Sequence, residues 1–117
     1  MLTRAVSFHA RHRYPDAPAH GHLYRVEVSV TGPLGTDTQM IIDLGMFDVI
    51  VAEIVGPLDG TVLNDAIPDF ANGAELPTCE ALARWIRGRV AVALPDGVRT
   101  HRVRVAEDDT LWADCLG

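Results

Sequence analysis

The chain has no lysine. Its ten arginines are the only long cationic side chains, set against sixteen acids for a formal charge of −6. Schiff-base catalysis and phosphate binding through a P-loop lysine are therefore excluded. Scattered arginines on an acidic chain give no electrostatic footprint for nucleic acid. Cysteine is nearly absent too. Cys79 and Cys115 are far apart and neither sits in a C-x-x-C pair, which argues against a thiolate zinc site and leaves both as small buried hydrophobes. No apolar run approaches the ~20 residues that span a bilayer, and MLTRAVSFHA lacks the apolar core of a leader, so no membrane role and a cytoplasmic location are expected. No repeat or linker divides residues 1–117, which are expected to form one domain.

What the chain does have is histidine, bunched. Four of its five histidines lie between His9 and His22. Residues 2–12 alternate as a strand with Leu2, Val6, Phe8 and Ala10 on one face, and His12 continues that phase. After Pro15 and Pro18, a second strand from about His20 to Thr31 carries Tyr24, Val26, Val28 and Val30 on one face. His20 and His22 share it, because side chains two apart in a strand point the same way. Met40–Ile42 reads as a short return strand. Asp43 caps a helix over roughly 45–55, with Phe47, Ile50, Val51 and Ile54 at helical spacing. The stretch 56–77 is rich in Gly, Pro, Asn and Asp and reads as irregular. Thr78 caps a second helix to about 93, burying Leu82, Trp85, Ile86 and Val90. A strand over 98–107 alternates, Asp108-Asp109 turns the chain, and 110–116 returns. The order ββααββ predicts an α+β fold, two helices on one face of an antiparallel sheet.

Chemistry concentrates in two places. His12, His20 and His22 extend the inward faces of neighbouring strands toward one end, and three converging neutral imidazoles make a zinc site with an open position. The alternative is that His20-Gly21-His22 is a turn with unliganded rings. Glu107 ends the inward phase of Val103 and Val105; it is either a carboxylate poised for a bidentate N–H/NH2 edge or a solvated strand-end acid. His20-x-His22-x4-Glu27 also matches a cupin metal motif, but Glu27 is out of phase with His22 and a jelly roll has no place for two helices mid-chain.

Six segments in order resemble the 6-pyruvoyl-tetrahydropterin synthase / 6-carboxytetrahydropterin synthase family. Phe8-His9-Ala10-Arg11-His12 is similar to F-x-A-x-H, and His20-Gly21-His22-Leu23-Tyr24 to H-G-H-x-Y. Met40-Ile41-Ile42-Asp43 matches (V/I)-x-D-F, and Leu58-Asp59-Gly60 with Leu63-Asn64 matches L-D-H-x-x-L-N. Pro77-Thr78-Cys79-Glu80-Ala81-Leu82-Ala83 is similar to P-T-x-E-N-(L/I)-A, and Val105-Ala106-Glu107-Asp108 to V-x-E-T. The resemblance implies a tunnelling fold (T-fold) with a four-stranded antiparallel sheet, assembled as trimers or hexamers with sites between subunits. It implies zinc on His12, His20 and His22, and a pterin-like substrate held by Glu107 with Thr78 and Glu80. The family's proton-transfer Cys is missing from the loop RYPDAPA, and the L-D-H histidine is Gly60. Asp59 remains as a catalytic candidate without that partner, and Asp16 stands where one branch keeps its Cys. The expectation is a zinc-dependent lyase, by elimination or aldolase-like cleavage of a dihydropterin, with Asp16 as general base. The competing expectations are a silent zinc- and pterin-binding homologue, or an enzyme turned to a non-pterin substrate.

Overall fold

A computed structural model describes all residues 1–117. Its scaffold is a hairpin of two long strands, β1 (Leu2–His12) and β2 (His20–Thr31), paired antiparallel from Leu2↔Val30 to His12↔His20. The alternation read from the sequence becomes one buried face. Tyr24, Val26, Val28 and Val30 of β2 are all at most 1% exposed, beside Phe8 and Ala10 of β1.

Two helices cover that face. Helix α1 (Leu44–Val55) begins where the Asp43 carboxylate accepts from the Met46 amide at 2.9 Å, satisfying one of the amides a helix start leaves free. It buries Phe47, Ile50, Val51 and Val55. The chain then passes through a 3-10 turn (Gly56–Leu58), strand β3 (Thr61–Val62), and single-turn helices α2 (Leu63–Ala66) and α3 (Pro68–Ala71). Helix α4 (Cys79–Ala93) starts at Thr78, whose hydroxyl accepts from the Ala81 amide at 3.1 Å. Its stripe of Leu82, Ile86 and Val90 is fully buried, each side chain contributing about 1.5–3 kcal/mol. Strands β4 (Arg99–Ala106) and β5 (Trp112–Leu116) complete a sheet of order β3-β1-β2-β4-β5. The expected α+β T-fold architecture stands, with one strand more than expected.

Three details differ from the sequence reading. Met40–Ile42 is not a strand: the Gly35 amide donates to the Met40 carbonyl, and Gln39, at φ 55°, donates back to Gly35. The loop closes on itself, and Ile42 turns into the core instead of pairing. The irregular stretch supplies the fifth strand, β3, which runs parallel to β1 beside Ala10 and Arg11. The alternation of the 98–107 strand is broken by a register shift at Ser29/Val30, so Thr100 is buried and His101 is exposed. A bulge shifts every residue beyond it to the other face. Strict alternation back from Glu107 puts His101 on the face of Val103 and Val105; in the structure it lies on the other face.

Candidate metal and substrate site

Strand register positions the histidines. His12 and His20 are cross-strand partners at the open end of the hairpin, and His22 lies opposite Ala10. Their ligating nitrogens all lie within 4.8 Å of one another. Nε2 of His12 and Nε2 of His22 are 3.1 Å apart. The rings meet edge to face, with centroids 4.9 Å apart for His12 and His22 and 5.2 Å for His12 and His20. Burial is graded: His12 is 2% exposed, His22 half-buried and His20 exposed. His9, three residues before His12, is exposed on the other face, as its parity requires.

One contact fixes the tautomer of His12. Its Nδ1 lies 3.0 Å from the carbonyl of Pro77. A carbonyl only accepts, so Nδ1 carries the hydrogen, and in the neutral ring Nε2 presents its lone pair to the cluster. Metal-ligating histidines are held in this way, the second nitrogen donating to a backbone oxygen. The residues present therefore fit a divalent ion that takes nitrogen ligands.

Glu107 closes the cluster from β4. Its Oε2 lies 3.4 Å from His22 Nε2 and 3.7 Å from His12 Nε2, with the side chain 14% exposed. The turn after it is tied down by Asp108, whose carboxylate accepts from the Thr110 amide and hydroxyl and from the Leu111 amide at 2.6–3.0 Å. The Thr110 hydrogen bonds hold the Asp108 carboxyl below its usual range. The Glu107 amide donates to the Leu111 carbonyl at 3.1 Å, so both ends of the turn fix the backbone from which the carboxylate projects.

Sequence reasoning missed two phenols and a carbonyl. The Tyr14 ring lies 4.9 Å from His12 and 6.5 Å from His20, and burial, followed by Glu107, Cys79 and Glu80, raises its pKa. Tyr24 stands edge to face with His22 at 5.6 Å and with His12 at 6.1 Å. Its buried hydroxyl has no hydrogen-bond partner within the chain, and burial first, then Cys79 and Glu107, raises its pKa. Tyr24 could have been found from its phase with His22; Tyr14 and the Pro77 carbonyl left no signal in the sequence. Cys79 is buried at the start of α4, and desolvation, then Glu107, pushes its thiol up to about 11. At neutral pH it is a protonated, unreactive thiol.

Thr78 uses its hydroxyl as the α4 cap, and Glu80 sits exposed in the first turn. Asp59 is bound to β1: its carboxylate accepts from the His9 amide at 2.8 Å while the Gly60 amide donates to the His9 carbonyl at 2.7 Å. Asp16 is exposed at φ 64°, a conformation non-glycine residues seldom adopt. It lines a cavity of about 350 Å³ with Tyr14, Asn64, Phe70 and Leu76, and none of the three histidines is among the lining residues. The loop is anchored at Arg13, whose amide donates to Asn64 Oδ1 at 2.9 Å and whose carbonyl accepts from Asn64 Nδ2 at 3.0 Å.

Comparison with known proteins gives a consistent result. The family model described as 6-pyruvoyl tetrahydropterin synthase matches residues 1–117. A putative 6-carboxy-5,6,7,8-tetrahydropterin synthase of Archaeoglobus fulgidus is 33% identical, over 94% of this chain and 90% of that protein. The human 6-pyruvoyl tetrahydrobiopterin synthase is 30% identical over 93% of this chain and 86% of its own. The Caenorhabditis elegans 6-pyruvoyl tetrahydropterin synthase structure superposes with a TM-score of 0.85 over 99% of this chain and 94% of that one; at 18% identity it speaks to the fold alone.

Proposed function

This chain belongs to the 6-pyruvoyl tetrahydropterin synthase family, and on that premise we propose that it is a zinc-dependent lyase acting on the side chain of a dihydropterin or a closely related heterocycle. The observation that carries the proposal is the convergence of His12, His20, His22 and Glu107 at one end of the β1–β2 hairpin. The three imidazoles hold the zinc, which when bound acts as a Lewis acid toward substrate oxygens and acidifies neighbouring O–H and C–H bonds.

The chain's own residues supply the rest. Glu107 accepts from the N–H/NH2 edge of the heterocycle, a bidentate pairing that fixes the ring plane. Backbone groups around Thr78 and Glu80 border the same position. Asp16 is the general base of elimination or retro-aldol cleavage; what supports it is its place in the loop joining His12 to His20, four residues before His20, where the family resemblance puts a proton-transfer residue. Cys79 takes no part as a nucleophile, because its thiol stays protonated. The protein is a homo-oligomer. The outer edge of β5, and the edge of β1 that faces away from β2 between Leu2 and His9, have no strand partner within the chain, and unpaired edges are where sheets join. Residues 1–117 form one domain, cytoplasmic and independent of nucleic acid; no helix is long and apolar enough to cross a membrane.

The test is incubation of the zinc-loaded protein with dihydroneopterin and with its triphosphate, followed by product analysis. Side-chain elimination or release of a pterin fragment is expected, at least about a hundredfold slower in Asp16→Asn. Tight pterin binding without turnover in the wild-type protein would instead establish a silent binding homologue. Neither binding nor turnover would establish a different substrate.

A further inference from the structure

We infer that Glu107 is a fourth metal ligand in the substrate-free protein, so that the carboxylate proposed above to hold the substrate rests on the metal until substrate arrives. This deepens the metal reading of the site and depends on it.

Donor atoms on a tetrahedral face around zinc, with bonds of about 2.0–2.1 Å, lie about 3.3–3.4 Å apart. His12 Nε2, His22 Nε2 and Glu107 Oε2 form a triangle with sides of 3.1, 3.4 and 3.7 Å. These three atoms already outline such a face. His20 completes the set from the exposed side, its nitrogen within 4.8 Å of the other two imidazoles. The spacing is that of four ligands, not of three imidazoles with a distant carboxylate.

Glu107 is 14% exposed, and its only ion-pair partners are His12 and His22; no arginine reaches it. With Nδ1 of His12 committed to Pro77, the neutral ring turns a lone pair toward the carboxylate's own lone pairs. Acceptors crowded on acceptors need a cation or a proton between them. A divalent ion satisfies both rings and the carboxylate together. The Asp108 turn holds Glu107 there by its backbone, while the side chain remains free to rotate toward an incoming N–H edge.

Cobalt(II) alone, added to the full-length apoprotein, tests the inference. Wild type is expected to bind one Co2+ per chain with a four-coordinate visible spectrum that does not change with pH between 6 and 9. Glu107→Gln should bind about 10–100-fold more weakly, at least the loss that follows removal of partners beyond the ligands. Its spectrum should acquire a pH-dependent transition near pH 7, the mark of metal-bound water in the vacated position. Equal affinity and identical pH-independent spectra in the two proteins would overturn the inference while leaving a three-histidine site standing. If Glu107→Gln does not fold, the wild-type titration decides by itself: a water transition there overturns the fourth ligand, and its absence supports it. Failure of wild type to bind Co2+ would overturn the metal reading and this inference with it.

Discussion

The side-chain amide of Asn64 makes both backbone hydrogen bonds of Arg13, receiving from its N–H at 2.9 Å and donating to its C=O at 3.0 Å. A side chain here imitates a neighbouring strand. It prolongs the β1 ladder by one residue beyond His12, where β3 has ended, and so sets the exit of the chain from the buried His12. Asn64→Asp keeps the shape and removes the donor, setting a carboxylate against the Arg13 carbonyl. Because these bonds are exposed to solvent, it should lower stability by about 0.5–1.5 kcal/mol and weaken metal binding, measured by thermal unfolding with and without Zn2+. An unchanged melting temperature would show that the clamp is ornamental.

The three imidazoles should not respond alike to truncation. His20 is exposed, so His20→Ala should leave the apoprotein's melting temperature nearly unchanged and abolish stoichiometric zinc. His12 is 2% exposed and bonded to Pro77, so His12→Ala should abolish zinc and also cost about 1–3 kcal/mol, because a buried carbonyl loses its donor. Native mass spectrometry and calorimetry separate the two. Stoichiometric zinc in His20→Ala overturns the ligand assignment.

Tyr24 makes the opposite prediction for stability. Its buried hydroxyl has no partner within the chain, and desolvating such a group costs about 1–3 kcal/mol. Tyr24→Phe should therefore stabilise the metal-free protein by up to about 1 kcal/mol in urea unfolding. A destabilised variant would mean that the hydroxyl is satisfied by bound water.

The Cys79 thiol yields a test in pH. Its folded pKa is raised from 9.0 to about 11, first by desolvation and then by Glu107. A raised pKa contributes stability that is complete below the unfolded value and is lost as pH rises through the folded one. Unfolding free energy should thus decline between pH 9 and 11 in wild type, and less steeply in Cys79→Ala. Iodoacetamide at pH 8 should modify the partly exposed Cys115 and spare Cys79 in the native state. Rapid labelling of Cys79 would show an open α4 start.

Much of this molecule was legible in the chain because its strands are long and strictly alternating. Phase put His12, His20 and His22 on one face and His9 outside, and capping chemistry put Asp43 and Thr78 at helix starts. It failed where backbone conformation, and not side-chain pattern, decides. The bulge at Ser29/Val30 reversed His101, and Gln39 in a left-handed turn replaced the strand expected at Met40–Ile42. The same holds in the site: the Pro77 carbonyl is a backbone group, and Tyr14 arrives from an aperiodic loop.

The antiparallel pairing of β1 and β2 has a consequence for how such a site changes over time. His12, His20 and His22 are fixed by rungs of the ladder and by Pro77, none of which belongs to the residues between His12 and His20. That segment is tied to the rest of the chain at its two ends, by Asn64 and Asp65 on Arg13 and by the Arg11 guanidinium on the Ala19 carbonyl. On the function proposed above, the hairpin is a socket: the residues between His12 and His20 can be rewritten while the three imidazoles keep their places. One scaffold can hand the same bound ion to different proton-transfer groups, and a lineage can change its reaction without first losing its metal.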